Sequence, residues 1–338
     1  MSTKLPFISI LVMSYNQEAY IGDCVDSVLS QEYDGELEFI FCDDNSSDST
    51  FKIIQEKVYK YTGTRRIITH RNTQNQRVAA NMNKGLELAS GEWIMRMDGD
   101  DIMHKDRVSL SAEAIQRYPN ATAVCGRYKY FSGDNVPVVQ NPPLHELSFT
   151  VNNHLDFSRG IKPAELEWWG GIMCIKRRVF DYFGPMPPEC DVLDDTMFAT
   201  RSLMLGDFVS MTNAIMIYYR RHENNVSSQK LAVSTLRELL ESDYKMRNYY
   251  QRGVKCHYLI LREIQEFSET HPDFVPLYQY FEHHFNELKR QAFFWKKSWK
   301  ERIDDAHISG SFWRKIPWAM RVLCPFTYAL AAKFMKKS

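Results

Sequence analysis

Residues 93–101 read Trp-Ile-Met-Arg-Met-Asp-Gly-Asp-Asp, a largely apolar run of five that enters a turn holding three carboxylates. A short apolar run bounded by turn residues predicts a buried strand over 93–97. Carboxylates this dense repel one another unless a cation or hydrogen bonds compensate, and hard Mg²⁺ or Mn²⁺ prefers such oxygen ligands. A solvated turn, or a cap for the helix predicted over 105–118, is the plainer reading of the same residues. No EF-hand ligand pattern follows here or after Asp43, which argues against a calcium loop.

The same pattern extends to both sides. Residues 7–13 (FISILVM) form an apolar run ending at Ser14-Tyr15-Asn16, and 37–41 (LEFIF) form another, closed by Cys42-Asp43-Asp44-Asn45-Ser46-Ser47-Asp48. Helical spacing appears over 19–30, 51–58 and 78–89, with a short strand at Ile67-Ile68 and a further strand around 122–125. Strands alternating with helices predict a doubly wound α/β unit over the first 130 residues, with its ligand beyond the carboxyl ends of the strands. Those ends carry Ser14-Tyr15-Asn16, Asp43-Asp44 and Asp98–Asp101. Residues 131–170 read as a loop-rich segment; periodicity returns with a run at 172–176, helices from 177 and over 194–205, and apolar strands within 208–219. From 230 onward the pattern is helical, polar and aromatic.

Composition narrows the function classes. At 338 residues, 44% hydrophobic and 25% charged, the chain is long enough for a sizeable core and unlike disordered or collagenous sequences. Lys+Arg and Asp+Glu are both 42, so no global basic field exists to hold nucleic acid. Seven cysteines with no CxxC spacing point away from a zinc cage or disulfide framework and toward a reducing compartment. The apolar N-terminal run is too short for a signal peptide, no spanning helix is predicted, and a cytoplasmic protein is expected.

Four further clusters could carry chemistry. The Asp43–Asp48 turn could cap the next helix, bind a ligand, or do both. Asp194 and Asp195 open an apolar-periodic helix, where acids favour the dipole, yet one could be a base beside a metal site. In the 219–225 segment (YRRHENN), His222 could ligate a metal and the arginines could clamp a phosphate. Trp168-Trp169-Gly170-Gly171 suits a sugar-stacking platform or a buried aromatic pair. No glycine-rich phosphate loop follows the first strand, so neither the dinucleotide fingerprint nor the P-loop is present.

In order, these segments resemble the family 2 glycosyltransferases of the GT-A fold. The resemblance rests on ISILVMSYNQEAYIGDCVDSVLSQ (8–31), FIFCDDNSSDST (39–50), NKGLELASGEWIMRMDGDD (83–101), WGGIMCIKRRVFDYFG (169–184), LDDTMFATRSLMLG (193–206) and YRRHENNVS (219–227), and it covers residues 5 to 228. It implies a mixed α/β sheet flanked by helices, with a donor half over 1–130, an acceptor half over 131–228 and a helical extension over 229–338. It also implies an inverting transfer from a nucleotide-sugar donor, by family habit UDP-linked, to a saccharide or lipid-linked saccharide. On this resemblance Tyr15, Asn16, Asp44, Arg77 and Asp98 contact the donor, with Asp44 on the uracil. Asp100 and His222 hold a divalent Mn or Mg ion, Asp195 is the general base, and Trp168, Trp169 and Asp194 face the acceptor. The segment 75–85 departs from the family's Asn-x-Gly-x-x-x-Ala-Arg-Asn-x-Gly: Arg77 stands at the glycine and Met82 at the arginine. Arg77 could itself approach a phosphate.

The last stretch, 291–338, carries ten Lys/Arg against three Asp/Glu, together with ten aromatic residues. Basic residues interleaved with Trp and Phe suit an interfacial helix on the cytoplasmic face of an anionic membrane. Packing on the catalytic domain or on a second copy in a homo-oligomer is the other reading. Two alternative functions use the same acids: a metal-dependent phosphohydrolase, and a non-catalytic scaffold that binds sugar nucleotides.

Overall fold

The structure is a computed structural model that describes residues 4–133, 135–149, 170–191, 194–222, 225 and 236–293. Trp168, Trp169 and the basic-aromatic stretch from 294 onward lie outside the described residues.

Every residue of β1 (Ile8–Ser14) is buried, which is why its sequence is a continuous apolar run rather than an alternating one. It lies between β2 (Leu37–Asp43) and β4 (Trp93–Asp98), parallel to both. β3 (Arg66–Arg71) adds to β2, again parallel. The helices α1 (Ile21–Leu29), α2 (Thr50–Tyr59), α3 (Arg77–Leu88) and α4 (Arg107–Arg117) complete this half. Their apolar stripes pack inward: α1 buries Ile21, Cys24, Val25 and Val28. α3 comes so close to β1 that a Cβ on Gly85 would lie 2.2 Å from Leu11 Cδ1, so only glycine fits there.

Beyond β4 the sheet turns mixed. β8 (Cys174–Lys176) is antiparallel to β4, and β6 (Ala121–Phe131) is antiparallel to β8. β9 (Asp207–Arg220) lies parallel to β6, while β5 (Ile102–Met103) and β7 (Glu146–Phe149) are antiparallel to β9. The order is β3-β2-β1-β4-β8-β6-β9-β5, with β7 also on β9. The chain runs outward from β1 to β3 and returns to β4 on the other side of β1. That reversal is the topological switch point where open α/β sheets bind ligands.

The sequence reading places the elements of the first half correctly. It misses β5 and β7, which are strands because β9 pairs with them, and it cuts β6 short. The 208–219 region is one strand of 14 residues rather than several. The remaining helices are α5 (Arg177–Phe183), α6 (Asp194–Leu205), α7 (Leu236–Thr270) and α8 (Val275–Phe293), so the described part of the C-terminal region is helical as expected. α7 is cross-linked to the sheet domain. Glu263 forms a two-pronged pair with the buried Arg201 of α6, at 2.7 and 3.0 Å, and Arg252 pairs with Asp191. The six described cysteines are buried and unbridged. Among the described residues no helix is long and apolar enough to cross a membrane.

Candidate active site

The carboxyl end of β2 is a closed hydrogen-bonded turn. Asp43 is fully buried; it accepts from the Ser46 amide at 2.9 Å and from the hydroxyls of Ser46 and Ser14. Asp44 accepts from Asn72 Nδ2 and the Gln76 amide through Oδ1, each at 2.8 Å, and from the Arg77 amide through Oδ2 at 2.7 Å. Asp44 therefore satisfies two backbone donors at the start of α3. The cap predicted for the next helix falls to Asp48, whose Oδ1 accepts from the Thr50 amide at 2.9 Å. Burial pushes the Asp48 carboxyl up, but hydrogen bonds from Thr50 and Glu18 outweigh it and hold the group below its ordinary value.

Asn16 has φ +50° and is tied to this turn: its amide donates to Ser46 Oγ and its Oδ1 accepts from the Ser47 amide. Tyr15 beside it is 46% exposed. Arg77 has φ +70°, a left-handed conformation that suits the glycine of the family pattern better than arginine. Its guanidinium reaches Asp191 at 3.2 Å, the same carboxylate that Arg252 of α7 engages.

The end of β4 is built on charge. Gly99 lets the turn pass α1: a Cβ there would sit 2.5 Å from Gln17 Oε1 and 3.0 Å from the Met13 carbonyl. Asp98 Oδ1 accepts from Arg96 Nη2 at 3.0 Å. Asp100 Oδ2 lies 3.0 Å from His222 Nε2 and 3.4 Å from Asn225 Nδ2. Asp101 is fully buried; its Oδ1 accepts from the Arg220 amide at 2.9 Å, while its Oδ2 has no hydrogen-bond partner. Burial and the neighbouring Asp100 and Asp98 charges push the Asp101 carboxyl well above its ordinary value. β5 explains how distant residues arrive here: it pairs Ile102 with Tyr218 and so carries the end of β9 to the turn. Arg220 then donates to the Asp100 carbonyl and, at 2.6 Å, to Asp23 of α1, and the His222 ring stacks on Tyr20 at 4.3 Å.

Asp194 and Asp195 open α6, as the sequence predicts. Asp194 pairs with Arg96 Nη1. Asp195 Oδ1 accepts from the Thr196 amide at 2.7 Å. Burial, reinforced by the charge of Asp194, pushes the Asp195 carboxyl up to about 7.

The structure thus brings Asp100 to His222, and Asp98 to Asp194 through Arg96, with Asp195 adjacent. It joins Asp44 to Arg77 through the backbone. Sequence reasoning misses Arg96, Tyr20 and Asp23, and it reads Arg220 as a possible phosphate clamp, whereas Arg220 is engaged by Asp23 and the Asp100 carbonyl; a charge inside the apolar run 93–97 is the one signal that points to Arg96. No group of three or more His, Cys, Asp or Glu residues arranged for a metal occurs among the described residues. A carboxylate and an imidazole in contact still suit a cation whose remaining ligands are water and phosphate oxygens, as Mg²⁺ sites commonly are.

Residues 9–179 match the family model described as Glycosyl transferase family 2. The putative glycosyltransferase EpsE of Bacillus subtilis is 33% identical over 113 residues, covering 33% of this chain and 40% of that protein. UDP-Glc:alpha-D-GlcNAc-diphosphoundecaprenol beta-1,3-glucosyltransferase WfaP of Escherichia coli is 25% identical over 259 residues, 76% of this chain and 91% of that protein. The match to EpsE spans well under two thirds of that relative's length. In fold, the chain is similar to the mannosyltransferase PcManGT of Pyrobaculum calidifontis, solved with GDP-Man and Mn2+, with TM-score 0.54 and 16% identity over 98% of this chain and 87% of that one.

Proposed function

Since this chain belongs to glycosyl transferase family 2 and has the GT-A fold, we propose that it moves a sugar from a UDP-linked donor to a hydroxyl of a saccharide or lipid-linked saccharide, inverting the anomeric centre. The observation that carries this reading is the gathering of Asp98, Asp100, His222, Asp194 and Asp195 around the end of β4, at the switch point of the sheet. Residues 1–228 form the catalytic unit, and α7 braces it through Glu263 and Arg252. The name of the Escherichia coli relative, with its UDP-Glc donor and diphosphoundecaprenol-linked acceptor, supports the donor and acceptor classes. It also supports peripheral contact of the 291–338 segment with a membrane.

Asp195 takes the proton from the acceptor hydroxyl, and a carboxyl held near 7 is matched to that task at neutral pH. In this proposal the base is on α6, the phosphate-side groups are at the ends of β4 and β9, and the acceptor attacks the face of the sugar opposite the departing diphosphate. No covalent nucleophile is then required. Asp100 and His222 would hold a divalent Mn or Mg ion, which neutralises the charge developing on the diphosphate leaving group. Asp98, Tyr15, Asn16 and Arg77 border the donor. Asp44 already accepts three hydrogen bonds, and its Oδ2, with a single donor, keeps a lone pair for the uracil. The acceptor side takes in Asp194 and, from the sequence, Trp168 and Trp169.

The test is a panel of UDP-sugars with Mn²⁺ or Mg²⁺, with saccharide and lipid-linked saccharide acceptors, read as UDP release and product mass. Metal-dependent UDP release with a glycosylated product is expected. Release of inorganic phosphate, or no turnover of any sugar nucleotide, overturns the reading.

A further inference from the structure

An interior strand paired on both sides seldom carries a charge into the protein, yet Arg96 in β4 is 8% exposed. Its guanidinium joins two elements remote in sequence. Nη2 meets Asp98 Oδ1 at 3.0 Å in the β4 turn, and Nη1 meets Asp194 at the start of α6. Gly170 and Gly171 leave the room it occupies: a Cβ on Gly170 would lie 1.9 Å from Arg96 Nη1, and one on Gly171 would lie 3.0 Å from Asp98 Oδ2. Its backbone is fixed as well. The Arg96 amide donates to the Met173 carbonyl at 3.2 Å, and its carbonyl accepts from the fully buried Arg107 at 2.8 Å.

We propose that Arg96 is a positioning residue for the transfer reaction, locking the carboxylate that opens the β4 turn to the helix start that carries Asp195. The inference rests on the glycosyltransferase reading above. Without the arginine, Asp194 places an unmatched negative charge beside Asp195, and the first turn of α6 loses its tether to β4. Donor binding depends less on this link, because Asp100 and His222 meet each other without it. The Gly-Gly segment then has a defined task, which is to leave space for one guanidinium.

Three variants test this. Arg96→Met removes the charge and keeps the stem. Arg96→Lys keeps the charge but cannot fork to two acids. Gly170→Ala leaves Arg96 in place and fills its space. Turnover is read as UDP release from UDP-glucose and UDP-N-acetylglucosamine with Mn²⁺, and binding as calorimetry of UDP with Mn²⁺. Arg96→Met and Gly170→Ala should each lower kcat by roughly 100-fold, the scale of a misplaced reacting group. UDP affinity should stay within about threefold, the pattern of an interaction needed beyond ground-state binding. Arg96→Lys should recover part of kcat. In ligand-free protein, amide exchange across 194–198 should speed by about tenfold or more in Arg96→Met and Gly170→Ala, since local opening reports a lost tether. Unchanged kcat and exchange in Gly170→Ala, or a parallel loss of kcat and UDP affinity in Arg96→Met, overturns the proposal. If the wild type turns over no sugar nucleotide, the functional reading fails, and the exchange measurement still decides whether Arg96 holds α6.

Discussion

The turns that close β2 and β4 flank the same strand and are built from the same residue types, but they hold their carboxylates differently. At the end of β2, Asp43 and Asp44 accept chiefly from amides, hydroxyls and an asparagine, most of them fixed in the backbone. At the end of β4, Asp98 and Asp100 are met by the side-chain ends of an arginine and a histidine, and buried Asp101 keeps one oxygen without a partner. Re-aiming Asp44 would strand buried backbone donors, which is expensive. Re-aiming Asp100 releases only the ends of the His222 and Asn225 side chains, which on the proposed function makes room for a cation and a diphosphate. On the proposed function the first turn is chiefly a joint and the second is the proposed site, although composition alone makes them look alike.

The strongest test of that contrast lies across the site, at Asp195. Asp195→Asn should cut kcat by about 10²–10⁴-fold with UDP affinity preserved. Because the carboxyl is held up to about 7, wild-type kcat should fall on the acid side of neutrality, and this limb should vanish in the variant. The sign for stability follows from the same shift. The folded state keeps the proton to about 7 while the unfolded chain releases it near 4, so this group lowers stability as pH rises between those values. Asp195→Asn should therefore flatten the decline, which denaturation at several pH values would show; a steeper decline contradicts the assignment.

Next in size is the joint. Asp44→Ala orphans the Gln76 amide and takes one of two acceptors from the Arg77 amide and from Asn72, and should cost about 1–3 kcal/mol in urea denaturation. Stability that holds while UDP affinity collapses would make Asp44 a ligand contact and break the comparison. For the site, His222→Ala should leave the urea midpoint near wild type and weaken UDP binding in Mn²⁺. That loss should at least match the roughly 10–100-fold seen when residues that only support a metal ligand are removed. Equal UDP affinity with and without the imidazole would remove His222 from the metal set. The smallest effect belongs to Arg77. Arg77→Gly relieves a left-handed conformation worth about 1 kcal/mol and gives up a pair with the buried Asp191, which Arg252 still holds, so stability should change by less than about 1 kcal/mol.

Legibility in the sequence follows the same division. β1, β2 and β4 announce themselves because full burial demands an apolar run, and the polar cluster after each marks the ligand edge. Asp194-Asp195 is readable as a helix start. β5 is two residues long and is a strand only because Tyr218 and Ile217 pair with it, so no local pattern could reveal it. Arg96 is visible as an oddity, but its partners come from its own strand and from a helix far along the chain. Arg77 shows the reverse case: the sequence reading takes an arginine at the family's glycine position only as a candidate phosphate contact, whereas the structure shows a left-handed backbone there, φ +70°.

The pair between Arg201 and Glu263 bears on the order in which the protein can assemble on the ribosome. Arg201 is 1% exposed and sits in the helix that carries Asp195, while its carboxylate arrives 62 residues later. Until Glu263 is made, burying Arg201 would leave a cation with no counter-charge, at a cost of about 3–5 kcal/mol, so the guanidinium is expected to stay in water. At roughly 5–20 residues per second, several seconds pass before that partner is made. The strands β1 to β4 can form early in that interval, whereas α6 is expected to gain its final seat only once α7 has been synthesised, so the helix that carries Asp195, the proposed base, is among the last parts of the sheet domain to be secured.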